Sequence, residues 1–133
     1  MIRVMVVEDD PHNALLFRKL LERRGGCDVT VTECAEELFE KVASGAVDLI
    51  IMDVSLANTT WEGAPVNGID LCRMLKSSAT MARVPVMLAT AHAMRGDAEA
   101  FVKRSGADGY VSKPILDHGA FVAEVQAMAR KAA

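Results

Sequence analysis

Acidic residues stand at the ends of two apolar segments of the chain. Ile2–Val7 is followed by Glu8 and Asp9, and Val47–Met52 is followed by Asp53. Apolar segments that lack polar alternation and are rich in valine and isoleucine are typical of strands covered on both faces of a sheet. If both strands run the same way, these carboxylates share one edge of the sheet. They would then repel one another unless a cation joins them.

Two further apolar segments end close to polar groups that can join this pocket. Val84–Ala89 is followed by Thr90, and Gly109–Val111 is followed two residues later by Lys113. Ligands of doubly wound sheets bind beyond the carboxyl ends of the strands, where the strand order reverses. The sequence therefore predicts that a hydroxyl and an ammonium group converge on the carboxylates despite their distance along the chain.

The elements that must position these groups alternate strictly along the chain. With Val29–Thr32 there are five apolar segments, and segments with a 3.6-residue period separate and follow them. Asp10 is a plausible N-cap of the first helix, with Pro11 at its first position. The apolar stripes contain, in order, Leu16, Phe17, Leu20 and Leu21; Ala35, Leu38, Phe39, Val42 and Ala43; Leu71, Cys72 and Leu75; Met94, Ala98, Phe101 and Val102; and Phe121, Val122, Val125, Met128 and Ala129. This alternation predicts an α/β fold, a doubly wound parallel sheet with helices on both faces.

Composition narrows the class of protein. The chain has 133 residues, 51 % of them hydrophobic and 25 % charged, with a net charge of −3. This is the balance of one globular domain, and we expect a single domain over residues 1–133. Basic runs of the kind that bind nucleic acid are absent from the sequence, and so are an apolar stretch long enough to span a membrane and a secretory signal.

The cysteines and histidines do not indicate a metal centre of their own. The cysteines are odd in number and match no metal-binding spacing, so we expect reduced thiols in a cytoplasmic protein: Cys27, Cys34 and Cys72. The histidines are interpreted as residues of helix surfaces or helix starts: His12, His92 and His118.

Four short sequences, in order, resemble the receiver domains of two-component response regulators. They are VVEDD, IIMD, LATA and GADGYVSKP, and the resemblance covers nearly the whole chain. It implies the flavodoxin-like fold, a five-stranded parallel sheet of order 2-1-3-4-5 with five helices. It also implies a stand-alone, chemotaxis-receiver-like response regulator.

The resemblance assigns a role to each acidic residue. Asp53 would be the phosphoacceptor, taking a phosphoryl group from a histidine kinase or a histidine phosphotransfer protein. Mg²⁺ would be bound by Asp9 and Asp53, by Glu8 through water, and by the backbone carbonyl of Ser55. The ion matters because phosphoryl transfer depends chiefly on positioning and on charge neutralisation.

The resemblance also implies a switch. Lys113 and Thr90 would contact phosphoryl oxygens, and Tyr110 would then pack inward. The Lys113–Pro114 bond would be cis. The face built from the fourth helix, fifth strand and fifth helix would change its affinity for a downstream protein, and it would be the surface of a possible homodimer. Such a protein is no enzyme beyond slow autodephosphorylation.

Two other functions fit parts of the sequence. One is a receiver-fold binding module that works without phosphorylation, which the complete acidic, threonine and lysine set disfavours. The other is a flavodoxin-like FMN carrier. That function requires a glycine-, serine- or threonine-rich phosphate loop after the first strand, where this chain has Glu8 and Asp9.

The long connection Val54–Asn67 departs from the family pattern. Receivers have a shorter loop here, closed by a glycine that Gly68 resembles, and the extra residues fall in Leu56–Pro65. Three roles are open for this insertion: a lid over Asp53, a docking loop for a partner, or an excursion without function. Trp61 within it would contact a partner or fold onto the third helix.

Overall fold

A parallel five-stranded sheet lies between two layers of helices. The computed structural model describes residues 1–91 and 96–132. The elements are β1 (Arg3–Val7), α1 (Pro11–Arg23), β2 (Asp28–Thr32), α2 (Ala35–Ala43), β3 (Leu49–Asp53), β4 (Thr60–Trp61), β5 (Ala64–Pro65), α3 (Gly68–Lys76), β6 (Val86–Thr90), α4 (Asp97–Ser105), β7 (Gly109–Ser112) and α5 (His118–Ala132).

The sheet has the predicted topology. Its order is β2-β1-β3-β6-β7 with every pairing parallel, and β4 and β5 form a separate antiparallel hairpin. Because the hairpin takes two numbers, β6 and β7 are the fourth and fifth predicted strands, so the expected order 2-1-3-4-5 is confirmed. The chain adds β2 on one side of β1 and β3 on the other. The switch point, where ligands of such sheets bind, therefore lies between β1 and β3.

The apolar strands are buried on both faces, as their sequences predict. Alternate residues of β1 enter different cores, because successive side chains of a strand point to opposite faces. Val4 and Val6 pack with α1 and α5, around Phe17 and Phe121. On the other face, β1 packs with α2 and α3, around residues such as Leu38.

Three strands begin later than the sequence suggested. β1 starts at Arg3 rather than Ile2, β3 at Leu49 rather than Val47, and β6 at Val86 rather than Val84. For β6 the reason is Pro85, which has no N–H to donate to a ladder and here contributes only its carbonyl, to Ile50.

Helix ends confirm several expectations. Asp10 caps α1 by accepting a hydrogen bond from the His12 N–H at 2.9 Å, and Pro11 opens the helix. His12 is exposed near the start of α1, and His118 is the first residue of α5. The expectations for two other residues, His92 and Met94, lie outside the described part of the chain.

The inserted segment is folded rather than extended. β4 and β5 are joined by Glu62 and Gly63, whose φ angles of 51° and 82° are both positive, as a two-residue type I′ turn requires. The Trp61 ring packs edge-on against Phe39 of α2, with ring centroids 4.8 Å apart. Trp61 therefore packs against a helix of its own domain, as one interpretation of the sequence expected, but that helix is α2 and not the third helix.

Within residues 1–91 and 96–132, no helix combines the length and the apolar character that crossing a bilayer demands. The three cysteines are free thiols, and Cys27 and Cys72 are buried.

Candidate functional site

Three carboxylates meet at the carboxyl edge of the sheet. β1 and β3 are neighbours in register, with Val7 beside Met52, so the residues that follow or end them lie side by side. Glu8, Asp9 and Asp53 each bring one carboxylate oxygen into a group whose members all lie within 4.8 Å of one another. Glu8 and Asp53 are buried, whereas Asp9 is half-buried.

Lys113 reaches into this cluster from the fifth strand of the sheet. Its Nζ donates to Asp53 Oδ1 at 3.0 Å and to Glu8 Oε1 at 3.1 Å. Its backbone N–H donates to the carbonyl of Thr90 at 2.8 Å, which ties the residue after β7 to the end of β6. The Lys113–Pro114 peptide bond is cis, as the sequence resemblance implied. The cluster therefore pairs one ammonium with two buried carboxylates.

The charge balance of the cluster alters the affinity of Glu8 for protons. Burial, followed by the hydrogen bond with Asp53, raises the pKa of Glu8 from its ordinary 4.5 to about 7, and Lys113 offsets only part of this. Burial of the Lys113 ammonium lowers its pKa, but Asp53 and Glu8 outweigh that effect, so the pKa of Lys113 is raised overall. At pH values below about 7 the carboxyl of Glu8 is therefore mostly protonated, and a cation that bound this oxygen would have to displace the proton.

Each of the three carboxylates also accepts a backbone N–H. Glu8 Oε2 accepts from Asp10 at 3.3 Å, and Asp53 Oδ1 accepts from Ser55 at 3.2 Å. Asp9 Oδ2 accepts from Ala57, in the inserted segment, at the short distance of 2.7 Å. These bonds hold the carboxylates in defined orientations at the sheet edge.

The donor set suits a hard divalent cation. Mg²⁺ prefers oxygen ligands, of which one or two are usually protein carboxylates while water supplies others. The cluster offers three carboxylate oxygens close enough for one ion to be shared among them. Among the described residues, this is the group of acidic, histidine or cysteine side chains with that property.

Thr90 and Tyr110 occupy the positions that the sequence predicted for them. Thr90 ends β6, next to β3, and is buried. Tyr110 lies in β7 and is half-buried, and its hydroxyl donates to Glu99 Oε1 of α4 at 3.3 Å. Glu99 raises the pKa of the Tyr110 hydroxyl through its charge and this hydrogen bond. Their switch roles, like that of the Ser55 carbonyl, stay predictions.

Gly68 is required by close packing at the site. A Cβ at this position would collide with the backbone of Asp53, because the first turn of α3 lies directly against the end of β3. The Gly68 N–H donates to the carbonyl of Val54 at 3.2 Å. The glycine that the sequence marked as closing the long connection thus lets α3 approach the candidate phosphoacceptor.

One contributor to the site escaped sequence reasoning. The Ala57 N–H binds Asp9, yet nothing in an alanine marks it for this role, because every residue except proline carries the same donor. The only available signal was that Ala57 lies within the unusual connection after β3.

Comparison with known proteins agrees with the resemblance to receiver domains that the sequence shows. Residues 4–126 match the family model of the response regulator receiver domain. The chain is 35 % identical over 112 residues to the polar-differentiation response regulator DivK of Brucella ovis, covering 84 % of each chain.

Solved structures share the fold. A sensor protein from Polaromonas sp. JS666 superimposes with a TM-score of 0.80 at 23 % identity, covering 99 % of this chain and 98 % of its own. The receiver domain of the sensor histidine kinase PA1611 from Pseudomonas aeruginosa gives 0.73 at 25 % identity, covering 98 % and 95 %, and carries a magnesium ion in its active-site cleft.

Proposed function

Because this chain belongs to the family of response regulator receiver domains, we propose that Asp53 is its phosphoacceptor. The carboxylate would take a phosphoryl group from the phosphohistidine of a kinase or a phosphotransfer protein, forming an acyl phosphate. The observation that carries this proposal is the position of Asp53, buried at the switch point and 3.0 Å from the Lys113 ammonium.

Mg²⁺ would be held by the carboxylates of Asp9 and Asp53, with Glu8 close by and the backbone carbonyl of Ser55 as a further ligand. When bound, the ion neutralises the charge that builds up on the transferred group. The geometry supports this proposal, since three carboxylates lie within 4.8 Å of one another and Lys113 pairs with only two of them. Burial is the main cause that raises the pKa of Glu8, and the hydrogen bond with Asp53 adds to it.

Lys113 and Thr90 would stabilise the phosphorylated form. Lys113 already pairs with Asp53 and would pair with a phosphoryl oxygen instead, as a mobile point charge. Thr90 ends the strand beside β3 and would donate its hydroxyl to another oxygen. Because Thr90 and Lys113 are also joined through their backbones, movement of one strand end would be passed to the other.

The output would be a change in protein contacts. Tyr110 now bonds to Glu99 of α4, and its inward movement on phosphorylation would break that bond. The face made of α4, β7 and α5 would then bind a downstream protein or a second copy of the chain. The acyl phosphate would be lost by slow autodephosphorylation, and the protein would act in the cytoplasm with its kinase.

Beryllofluoride, a phosphoryl analogue, tests the phosphoacceptor directly. We expect the wild type to bind it only with Mg²⁺ present, with a change in the fluorescence of Trp61, the single tryptophan, and in amide NMR shifts around Asp53. The variant Asp53→Asn keeps the shape of the side chain and should not respond. An equal response in both proteins would contradict the assignment, and no response in the wild type would favour a binding module that works without phosphorylation.

A phosphotransfer profile against candidate histidine kinases would then identify the donor. Phosphoryl label should appear on the wild type with one or few kinases, and Asp53→Ala should remain unlabelled with all of them.

A further inference from the structure

The inserted segment Leu56–Pro65 contacts the acidic cluster through a short hydrogen bond. The Ala57 N–H donates to Asp9 Oδ2 at 2.7 Å, across 48 positions of sequence. Such a length is typical of a bond whose acceptor carries a full charge. The insertion is therefore in direct contact with one of the proposed metal ligands.

Asp9 differs from the other two carboxylates in how it is held. Glu8 and Asp53 are buried, and Lys113 binds both of them. Asp9 is only half-buried, and among the described residues the hydrogen bond that holds its carboxylate comes from Ala57. A half-buried aspartate without such a partner would rotate among several orientations, and few of them would face Asp53.

The position of Ala57 is set by contacts that the insertion makes with α2 and with the loop that precedes α2. The Thr59 hydroxyl is buried and donates to the carbonyl of Glu33 at 2.9 Å. Two residues further on, Trp61 packs against Phe39 with ring centroids 4.8 Å apart. These anchors make the segment a fixed support beside the cluster, so the position of the Ala57 N–H is set by contacts with a different part of the domain.

From this geometry we infer that the Ala57 N–H is a positioning group for the metal site, and that the anchored insertion sets the affinity for Mg²⁺. A carboxylate has two oxygens, so the bond to Oδ2 leaves Oδ1 of Asp9 available to the cation. Partners that orient a metal-binding side chain commonly change metal affinity when they are lost. The inference rests on the proposed function, because it assumes that Asp9 and Asp53 share the ion.

The matched variants Thr59→Val and Thr59→Ser test the support without touching the cluster. Valine keeps the shape of threonine but has no hydroxyl to bind Glu33, whereas serine keeps the hydroxyl. Mg²⁺ alone is titrated into each folded protein and the amide shifts of residues around the cluster are followed by NMR. Thr59→Val should weaken Mg²⁺ binding roughly 3- to 10-fold, less than the roughly 10- to 100-fold typical of losing an orienting partner, because the Ala57 N–H itself is kept; Thr59→Ser should stay within about 2-fold of the wild type.

The variant Ala57→Pro removes the donor itself, since proline has no N–H, and we expect at least about a 10-fold loss of Mg²⁺ affinity. In the wild type, the Ala57 amide signal should shift with the same midpoint as those of residues beside Asp53. Wild-type affinity in Thr59→Val, with the protein folded, would overturn the inference while leaving the phosphoacceptor proposal intact. Failure of the wild type to bind Mg²⁺ would overturn both.

Discussion

A charged pair lies at each end of β3, one at the amino edge of the sheet and one at its carboxyl edge, and the two pairs behave in opposite ways. At the amino edge of the sheet, Arg3 Nη2 and Asp48 Oδ1 are 2.9 Å apart, with side chains 46 % and 34 % exposed. At the carboxyl edge, Lys113 Nζ lies 3.0 Å from Asp53, but these side chains are only 12 % and 4 % exposed. The N–O distances are nearly equal, so distance alone does not distinguish the pair at the amino edge from the pair in the candidate site.

What separates them is the balance of charge and the access of water. Arg3 lowers the pKa of Asp48, chiefly through their hydrogen bond, as expected for one anion beside one cation. At the other edge, burial is the main cause that raises the pKa of Glu8 to about 7, and the neighbouring Asp53 adds to the rise while Lys113 offsets part of it. The exposed pair balances one anion with one cation, whereas the buried cluster has three carboxylates beside one ammonium, the imbalance that a further cation would correct.

The largest expected difference is in phosphoryl labelling, between variants of Asp53, which ends β3, and of Asp48, which precedes it. Asp53→Asn should abolish labelling by a small phosphodonor such as acetyl phosphate in the presence of Mg²⁺. Asp48→Asn should leave labelling at the wild-type level and reduce the free energy of unfolding by no more than about 1 kcal/mol. Intact-protein mass spectrometry measures the first effect and urea denaturation the second. Equal labelling of the two variants would remove the functional distinction between the edges.

Substitution of one glycine at each edge of the sheet tests how tightly the backbone is packed there. In Gly68→Ala the new methyl group would collide with the backbone of Asp53, so we expect a loss of about 2–3 kcal/mol in the free energy of unfolding. Gly109 starts β7 at the amino edge, where a Cβ would meet its nearest atoms at an ordinary 3.8 Å. Gly109→Ala should therefore change stability by less than about 0.5 kcal/mol. Urea denaturation of both variants measures the difference, and equal losses would show that the approach of α3 to Asp53 is not tight.

Mg²⁺ binding should depend on pH through Glu8. With its pKa at about 7, this carboxyl is mostly protonated at pH 6 and mostly charged at pH 8. If the ion displaces that proton, the apparent affinity should be about 10-fold weaker at pH 6 than at pH 8. The variant Glu8→Gln should bind more weakly and with little change over this range. NMR titrations at the two pH values provide the measurement, and a pH dependence that survives in Glu8→Gln would assign it to another group.

The smallest expected effect is on the free energy of unfolding in the absence of metal. Neutralising a carboxylate should raise it at the carboxyl edge of the sheet and lower it at the amino edge. The folded protein raises the pKa of Glu8, so the stability associated with its neutral form is present below about pH 4.5 and is lost as pH rises through about 7. In EDTA at pH 8, Glu8→Gln should therefore raise the free energy of unfolding by about 1 kcal/mol, a few degrees in Tm. Asp48→Asn should lower it by a similar or smaller amount. Thermal melts that move in the same direction would contradict the opposite roles of the two pairs.

Much of the site was predictable because it is built from the ends of parallel strands. Glu8, Asp53, Thr90 and Lys113 each follow or end an apolar segment, and parallel pairing brings those ends to one edge of the sheet. Their residue types are visible in the sequence, strict alternation of strands and helices predicted the parallel sheet, and the resemblance to receiver domains implied its strand order. The candidate site could thus be assembled without coordinates.

The inserted segment was less predictable. Its length and the presence of Trp61 were evident, but the choice between α2 and α3 as its support was not, since both helices offer apolar residues. The hairpin strands have only two residues each, too few for a periodic pattern. The Glu62-Gly63 turn was the local signal that could have indicated a hairpin.

The sequence by itself determined the strands and helices of the main sheet and the residue types that meet at its carboxyl edge, because these depend on local pattern and on residue identity, and the strand order followed from the resemblance to receiver domains. Only the tertiary structure decided the raised pKa of Glu8, the bond from Ala57 to Asp9 and the packing of Trp61 on Phe39. Burial, backbone donors and side-chain partners depend on which distant segments come together, and a single sequence does not record those distances.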